Sequence, residues 1–334
     1  MVVGLALLIG CGESQGDSAA SDHVRVRFDP SYSSGCTDSE PCIADYETFL
    51  AKAADAARPI DQDTLDRQLV DLARGDVPLV DPAPAPDELR LEVIERLNVG
   101  WMTAGLGTRP LEVIVTAERS GDFYRETELV LRDELVGDVP ALLLRPPGDG
   151  PYPAVVAVHG HGDDARVYRD SYHGSEYPGH GYAILILTMR AMGIDQYEHE
   201  ISRRLLRAGF SLIGLRSYES LLGLEYLRAR SDVRIDRIGL IGHSGGSSTG
   251  NLTIRIMDPG SPARFRAFVS DHHVDFFLSS LVEAYHCETV PALYPLHPAI
   301  NDLTSAPVAA RTVPYGYPFG VAGIMSFFDQ HLRD

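Results

Sequence analysis

Lysine is almost absent from this chain of 334 residues: Lys52 is the only one, and the other basic residues are arginines. Acidic residues outnumber basic ones by 47 to 29, which gives a net charge of -18. A surface of this sign repels nucleic acid phosphates and anionic membranes, so neither is an expected partner. The excess of negative charge favours solubility instead.

Long apolar runs are also missing. The N-terminal run over residues 2–9, interrupted by Gly4, is too short to span a bilayer, and it is typical of a signal-peptide core. It ends in Leu8-Ile9-Gly10-Cys11, which resembles a bacterial lipobox with a lipidated cysteine. We expect a signal segment at 1–11 and a lipoprotein of the bacterial cell envelope, on its periplasmic or extracellular side. Cys11 would be its only link to a membrane.

Cysteine is scarce, with four in all. Cys36 and Cys42 form a close pair, which an oxidising compartment would favour as a disulfide. A metal site is the alternative, but neither a histidine nor a second cysteine pair is near them. Cys287 lies far away and is expected to be a free thiol.

The chain divides into four segments by composition. After the signal segment, residues 12–42 are expected to form a linker, and residues 43–110 a helical N-terminal extension. Within that extension, Leu65, Leu69 and Leu72 share one helical face, and a proline-rich connector follows at 77–86. Residues 111–334 are expected to form the main domain.

Strands and helices alternate from residue 111 onward. Residues 111–116 and 126–132 alternate apolar and polar side chains, as half-buried antiparallel strands do. Four continuous apolar runs at 154–158, 182–187, 238–241 and 265–270, with a fifth at 307–313, predict strands buried on both faces. An amphipathic helix is expected at 217–230 and a final helix at 321–332. This pattern predicts an α/β fold with a mostly parallel sheet covered by helices on both faces.

One motif carries the chemistry. Gly242-His243-Ser244-Gly245-Gly246 follows the strand at 238–241 and precedes a helix running to about Met257, which is the context that G-x-S-x-G requires. Glycines relieve collisions at a sharp turn that exposes the serine hydroxyl. Ser244 is therefore the expected nucleophile, and the N–H of Gly245 an expected oxyanion donor.

A second glycine-rich loop, His159-Gly160-His161-Gly162, follows the strand at 154–158. In this strand–turn–helix architecture that loop supplies the other oxyanion N–H, which we assign to His161 or a neighbour. His159 is expected to organise the loop through backbone hydrogen bonds. Metal binding by His159 and His161 with Asp163 or Asp164 is an alternative, but the chemistry requires no metal, and none is predicted.

Residues 124–332 resemble the dienelactone-hydrolase and acetyl-xylan-esterase-like branches of the α/β-hydrolase superfamily. The resemblance lies in residues 139–146, 153–160 and 227–246 and in the loop at 188–193. It implies an α/β-hydrolase fold and ester hydrolysis without a cofactor. It also implies an aspartate after a late strand and a histidine after the last one. Neither occurs around residues 314–320, so we expect a shortened C-terminal end.

The acid and the base must then come from elsewhere. Asp271 closes the strand at 265–270 and is the preferred acid, with Asp275, Glu288 and Asp302 as alternatives. His286 is the preferred base. His297 ranks close to it and His272 behind.

The sequence therefore predicts a serine esterase that forms an acyl-enzyme on Ser244. Its substrates would be small-molecule or carbohydrate esters with an acetyl or other short acyl group, or lactones. No lid-like apolar insertion is present, which disfavours long-chain lipids. A serine peptidase of the same fold is the alternative within enzymes, although no repeat could build the propeller of its relatives. A hydrolase-fold protein that binds ligand without turnover is the third possibility.

Overall fold

The computed structural model describes residues 23–32, 43–192, 195–261, 264–271, 286 and 288–333. Nine strands of this part form one sheet. Along the chain they are β1 Val24–Phe28, β2 Leu111–Ser120, β3 Arg125–Asp133, β4 Gly137–Arg145, β5 Tyr152–Val158, β6 Ala183–Leu187, β7 Val233–Gly242, β8 Ala267–Ser270 and β9 Ala309–Thr312.

Helices cover this sheet. They are α1 Ile43–Lys52, α2 Gln62–Arg74, α3 Pro86–Leu97, α4 Gly100–Thr103, α5 Ala165–Ser171, α6 Asp195–Ala208, α7 Leu212–Arg228, α8 Gly245–Ile256, α9 His297–Asn301 and α10 Ala322–Leu332. Within the described residues, no helix is long and apolar enough to cross a membrane.

The sheet has the order β1-β2-β3-β4-β6-β5-β7-β8-β9. Its first part is antiparallel through β2, β3, β4 and β6, as the alternating residues predict. Strands β5 to β9 run parallel to one another. Their carboxyl ends therefore share one edge, where the loops after β5, β7, β8 and β9 meet.

Two strands differ from the sequence-based expectations. β1 lies inside the predicted linker at 12–42 and pairs in parallel with β2, although its side chains are mostly exposed. β9 was expected to be buried on both faces. It is instead a half-exposed edge strand, because only β8 flanks it and its residues are Ala-Ala-Arg-Thr.

Helices α1 to α4 lie between residues 43 and 103, and they share a core with the sheet. Phe49, Leu65 and Val93 are buried in the same apolar cluster as α7, α8 and one face of the strands. A second cluster on the opposite face packs α5 and α10 against the sheet.

Candidate active site

Ser244 occupies the sharp turn between β7 and α8. Its backbone angles are φ 50° and ψ -120°, in a region that residues other than glycine rarely adopt. This strain persists because the end of β7 over residues 238–242 is buried before it and every residue of α8 is buried after it. The turn directs a serine to the edge of the sheet where the loops converge.

Glycine is required on both sides of the turn because backbone passes very close. A Cβ on Gly242 would lie 2.5 Å from the carbonyl carbon of Gly246. A Cβ on Gly246 would lie 2.5 Å from the carbonyl oxygen of His159 and closer still to that of Val158. Such contacts are impossible, so Gly242 allows α8 to start directly against β7, and Gly246 allows it to lie against the end of β5.

Gly245 is the first residue of α8, and first-turn N–H groups have no acceptor within their own helix. Together with the helix dipole, that makes its N–H suited to an oxyanion. The imidazole of His161 lies over the open side of Gly245, with Nδ1 2.5 Å from the position that a Cβ would take. The predicted oxyanion residues, Gly245 and His161, therefore lie side by side.

His159 organises the loop after β5. Its Nδ1 donates to the Gly160 carbonyl at 2.8 Å, and its Nε2 accepts from the Met189 N–H at 2.8 Å. The side chain is fully buried, and burial lowers its pKa to about 4 against an opposing hydrogen bond to Gly160. The imidazole is thus neutral and committed to backbone, which leaves no role for it as a metal ligand.

Asp271 ties several loops together at the end of β8. One carboxylate oxygen accepts from the Ser244 N–H at 2.8 Å and the Ser247 hydroxyl at 3.0 Å. The other contacts His243 Nδ1 at 2.5 Å and accepts from the Gly316 N–H at 2.8 Å. Burial alone would raise the pKa of this carboxyl, but these hydrogen bonds and the charge of His243 hold it below its ordinary value.

The predicted pairing of Asp271 with His286 is therefore not the one that the structure brings together. His243 occupies the variable position of the G-x-S-x-G motif, and it is the histidine that contacts Asp271. It is 2% exposed. Its Nε2 lies 3.9 Å from an oxygen of Asp163, and the ring of Tyr172 covers it at 3.8 Å between centroids. His243 and Asp271 therefore stabilise the turn at Ser244.

His286 lies instead with His161 and Glu198. The two imidazole centroids are 4.6 Å apart, and Nε2 of His161 is 3.3 Å from Oε1 of Glu198. Burial, followed by the charge of His161, lowers the pKa of His286. Glu198 is 1% exposed and also pairs with the fully buried Arg216 at 2.9 Å. Sequence reasoning missed both partners, Glu198 and Arg216.

Of the other predicted candidates, Glu288 lies next to this arrangement, where its N–H donates to His286 Nδ1 at 3.4 Å. The rest have other contacts or lie outside the described residues. Oδ1 of Asp302 accepts from the Thr304 N–H at 3.0 Å. His297 is the first residue of α9, and its ring stacks on that of Tyr294. Glu288 is buried two residues after His286. Outside the described residues lie His272, Asp275, Cys11, Cys36, Cys42 and Cys287.

Comparison with known proteins agrees with this architecture. No family model matches the chain. It is 32% identical over 149 residues to "Putative hydrolase YtaP" of Bacillus subtilis (strain 168), which covers 40% of this chain and 50% of that protein. The chain thus spans about half the length of the curated relative that it matches.

Two solved structures superpose on most of the chain. Acetyl xylan esterase from Paenibacillus sp. R4 matches with a TM-score of 0.51 and 13% identity, covering 79% of this chain and 99% of that one. A Bacteroides fragilis NCTC 9343 protein described as "a putative acetyl xylan esterase" matches with a TM-score of 0.50 and 18% identity, covering 64% and 61%. The chain has the α/β-hydrolase fold.

Proposed function

We propose that the protein is a serine hydrolase of carboxylic esters, with Ser244 as nucleophile. The observation that supports this most directly is the strained φ of Ser244 at the end of a buried strand, with the N–H of Gly245 next to it at the start of α8. Backbone strain of this kind is retained where a reactive group must be presented. The acetyl xylan esterases that share the fold point to the same class of reaction.

We propose His161 as the general base and Glu198 as the carboxylate that orients it, in place of His286 with Asp271. Among the described residues, two histidine side chains lie at the elbow, those of His161 and His243. His243 is 2% exposed and bonded to Asp271, whereas the side chain of His161 is 22% exposed and can meet a substrate. With Nε2 toward Glu198, Nδ1 of His161 is the nitrogen that faces Gly245.

The reaction would then proceed in two steps. Nδ1 of His161 takes the hydroxyl proton of Ser244 as the serine oxygen attacks the ester carbonyl. The N–H groups of Gly245 and His161 stabilise the resulting oxyanion. The imidazolium returns the proton to the leaving alcohol, which leaves an acyl group on Ser244. Water, activated by the same imidazole, releases the acid and restores the serine.

The test compares acyl p-nitrophenyl esters with aminoacyl p-nitroanilides. Wild type should cleave short acyl esters, and preferential cleavage of the anilides would favour the peptidase alternative. His161→Ala should lower kcat by about 100-fold or more, since general acid–base catalysis contributes on that scale. Added imidazole should restore part of this loss, and the exposed control His180→Ala should keep full activity. Full activity in His161→Ala, with loss in His286→Ala, would assign the base to His286.

We propose short acyl or carbohydrate esters as substrates and the bacterial envelope as the location. The lipobox-like segment that ends at Cys11 supports this location. Expressed in a bacterium, the full chain should fractionate with membranes, and Cys11→Ser should move it to the soluble fraction. The same fractionation for both proteins would contradict lipidation.

A further inference from the structure

Beside the elbow, three side chains with metal-binding atoms form what we term the imidazole–carboxylate cluster: His161, Glu198 and His286. One ligand atom from each lies within 4.8 Å of the other two. His161 comes from the loop after β5, Glu198 from α6 and His286 from the segment after β8. Three separate elements therefore converge on one point, and His161 and Glu198 already form an ion pair there.

Arg216, which is not part of the cluster, holds it in position. Arg216 donates from Nη2 to Glu198 at 2.9 Å and from Nε to the Arg190 carbonyl at 2.8 Å, and its side chain is fully buried. Glu198 is consequently fixed in position, and its contact to Nε2 fixes the ring orientation of His161. Supporting contacts of this kind, one layer outside the ligands, orient the ligands of known metal sites.

We propose that the imidazole–carboxylate cluster binds Zn²⁺ or a similar divalent transition metal. Two imidazole nitrogens and one carboxylate oxygen are the protein ligands of open zinc sites, whereas Ca²⁺ and Mg²⁺ require mostly oxygen. The ligand atoms need to move inward to reach Zn–N distances of about 2.0–2.1 Å, for example by a rotation of the half-buried His286 ring. Because Arg216 offsets the charge of Glu198, the bound ion favours hydroxide or a carboxylate as fourth ligand.

Metal at this point affects catalysis if, as proposed above, His161 is the base. The nitrogen of His161 that faces Glu198 is Nε2, and Zn²⁺ bound there takes the place of its proton. The neutral imidazole then carries its proton on Nδ1, which can no longer accept the proton of Ser244. The ion would also lie next to the backbone of Gly245, where the ester carbonyl is expected to bind. Zn²⁺ therefore acts as a reversible inhibitor of ester turnover, relieved by a chelator.

The direct test is metal binding by untagged, chelator-treated protein, measured by titration calorimetry with ZnCl₂ and by the visible spectrum with CoCl₂. Wild type and Ser244→Ala should each bind one ion per chain. His286→Ala and His161→Ala should each weaken binding by about tenfold or more, because each removes a ligand. His180→Ala, which changes an exposed histidine elsewhere, should bind as wild type does. Circular dichroism checks that each variant is folded.

The outcomes separate this site from the proposed function. Unchanged affinity in folded His286→Ala, or the absence of a one-to-one event in wild type, would overturn the metal site. Binding to Ser244→Ala supports it even if the protein hydrolyses no ester. If Zn²⁺ binds at one to one and ester turnover does not change, the link between the ion and His161 is wrong.

Discussion

The chemistry depends on a few buried residues whose protonation is set by their surroundings. His159 is the clearest example: burial holds its pKa near 4, and both ring nitrogens bond to backbone. The unfolded chain binds a proton near pH 6.5, whereas the folded chain does not until about pH 4. The contribution of this imidazole to the free energy of unfolding is therefore fully present above pH 6.5, and it is lost as the pH falls toward 4.

We predict that the free energy of unfolding falls by about 3 kcal/mol between pH 6.5 and 4 through His159 alone. Urea unfolding across this range measures it. His159→Gln offers an acceptor for the Met189 N–H but does not titrate, so its stability should depend less steeply on pH. Equal pH dependence of the two proteins would show that folding does not change the pKa of His159.

At the scale of elements, the elbow depends on how closely α8 approaches β5. Gly246 allows this approach, since a Cβ would lie 2.5 Å from the His159 carbonyl oxygen. Asp271 then connects α8 and the segment after β9 through the N–H groups of Ser244 and Gly316. The nucleophile is therefore held by contacts among strands β5, β7 and β8 and helix α8.

Gly246→Ala should consequently lower the free energy of unfolding by about 1–3 kcal/mol, the usual range for overpacking, and reduce kcat by displacing Ser244. Gly323 in α10 is the matched control, because it is exposed and a Cβ there meets nothing within 4 Å. Gly323→Ala should be neutral, or stabilising by about 0.5–1 kcal/mol. Equal stability of both variants would show that α8 can shift away from β5 at little cost.

At the scale of the whole molecule, the N-terminal helices and the sheet share one core. The single tryptophan, Trp101, is in this helical segment and lies 6.2 Å from Phe210, between α6 and α7, measured between ring centroids. Phe49 of α1 lies 5.3 Å from Phe210 in an edge-to-face contact. The helical segment should therefore unfold together with the rest.

Trp101 fluorescence and far-UV circular dichroism should accordingly report one unfolding transition with the same midpoint. Phe210→Ala should move both midpoints to a lower denaturant concentration, because it lowers the free energy of unfolding by about 3–5 kcal/mol. Phe123→Ala changes a side chain that is 82% exposed and should leave the midpoint unchanged. A fluorescence transition that precedes the other would indicate that residues 43–110 unfold as a separate unit.

The parts of this fold that the sequence predicts are those encoded locally. Continuous apolar runs indicate β5 to β8, and the spacing of Gly242, Ser244 and Gly246 indicates the elbow. β1 gives no such signal, since its Val-Arg-Val-Arg-Phe is short and mostly exposed. The partners of the site are encoded by topology: His161 meets Glu198, and Asp271 meets His243, only after distant segments have folded against each other.

The most direct test of the central claim is covalent labelling by a fluorophosphonate, followed by peptide mass spectrometry. An activated serine in an oxyanion site reacts, whereas ordinary serines do not. The account predicts one adduct per chain, on the peptide that contains Ser244, and none in Ser244→Ala. An adduct on another serine, or no adduct on the folded protein, would contradict it.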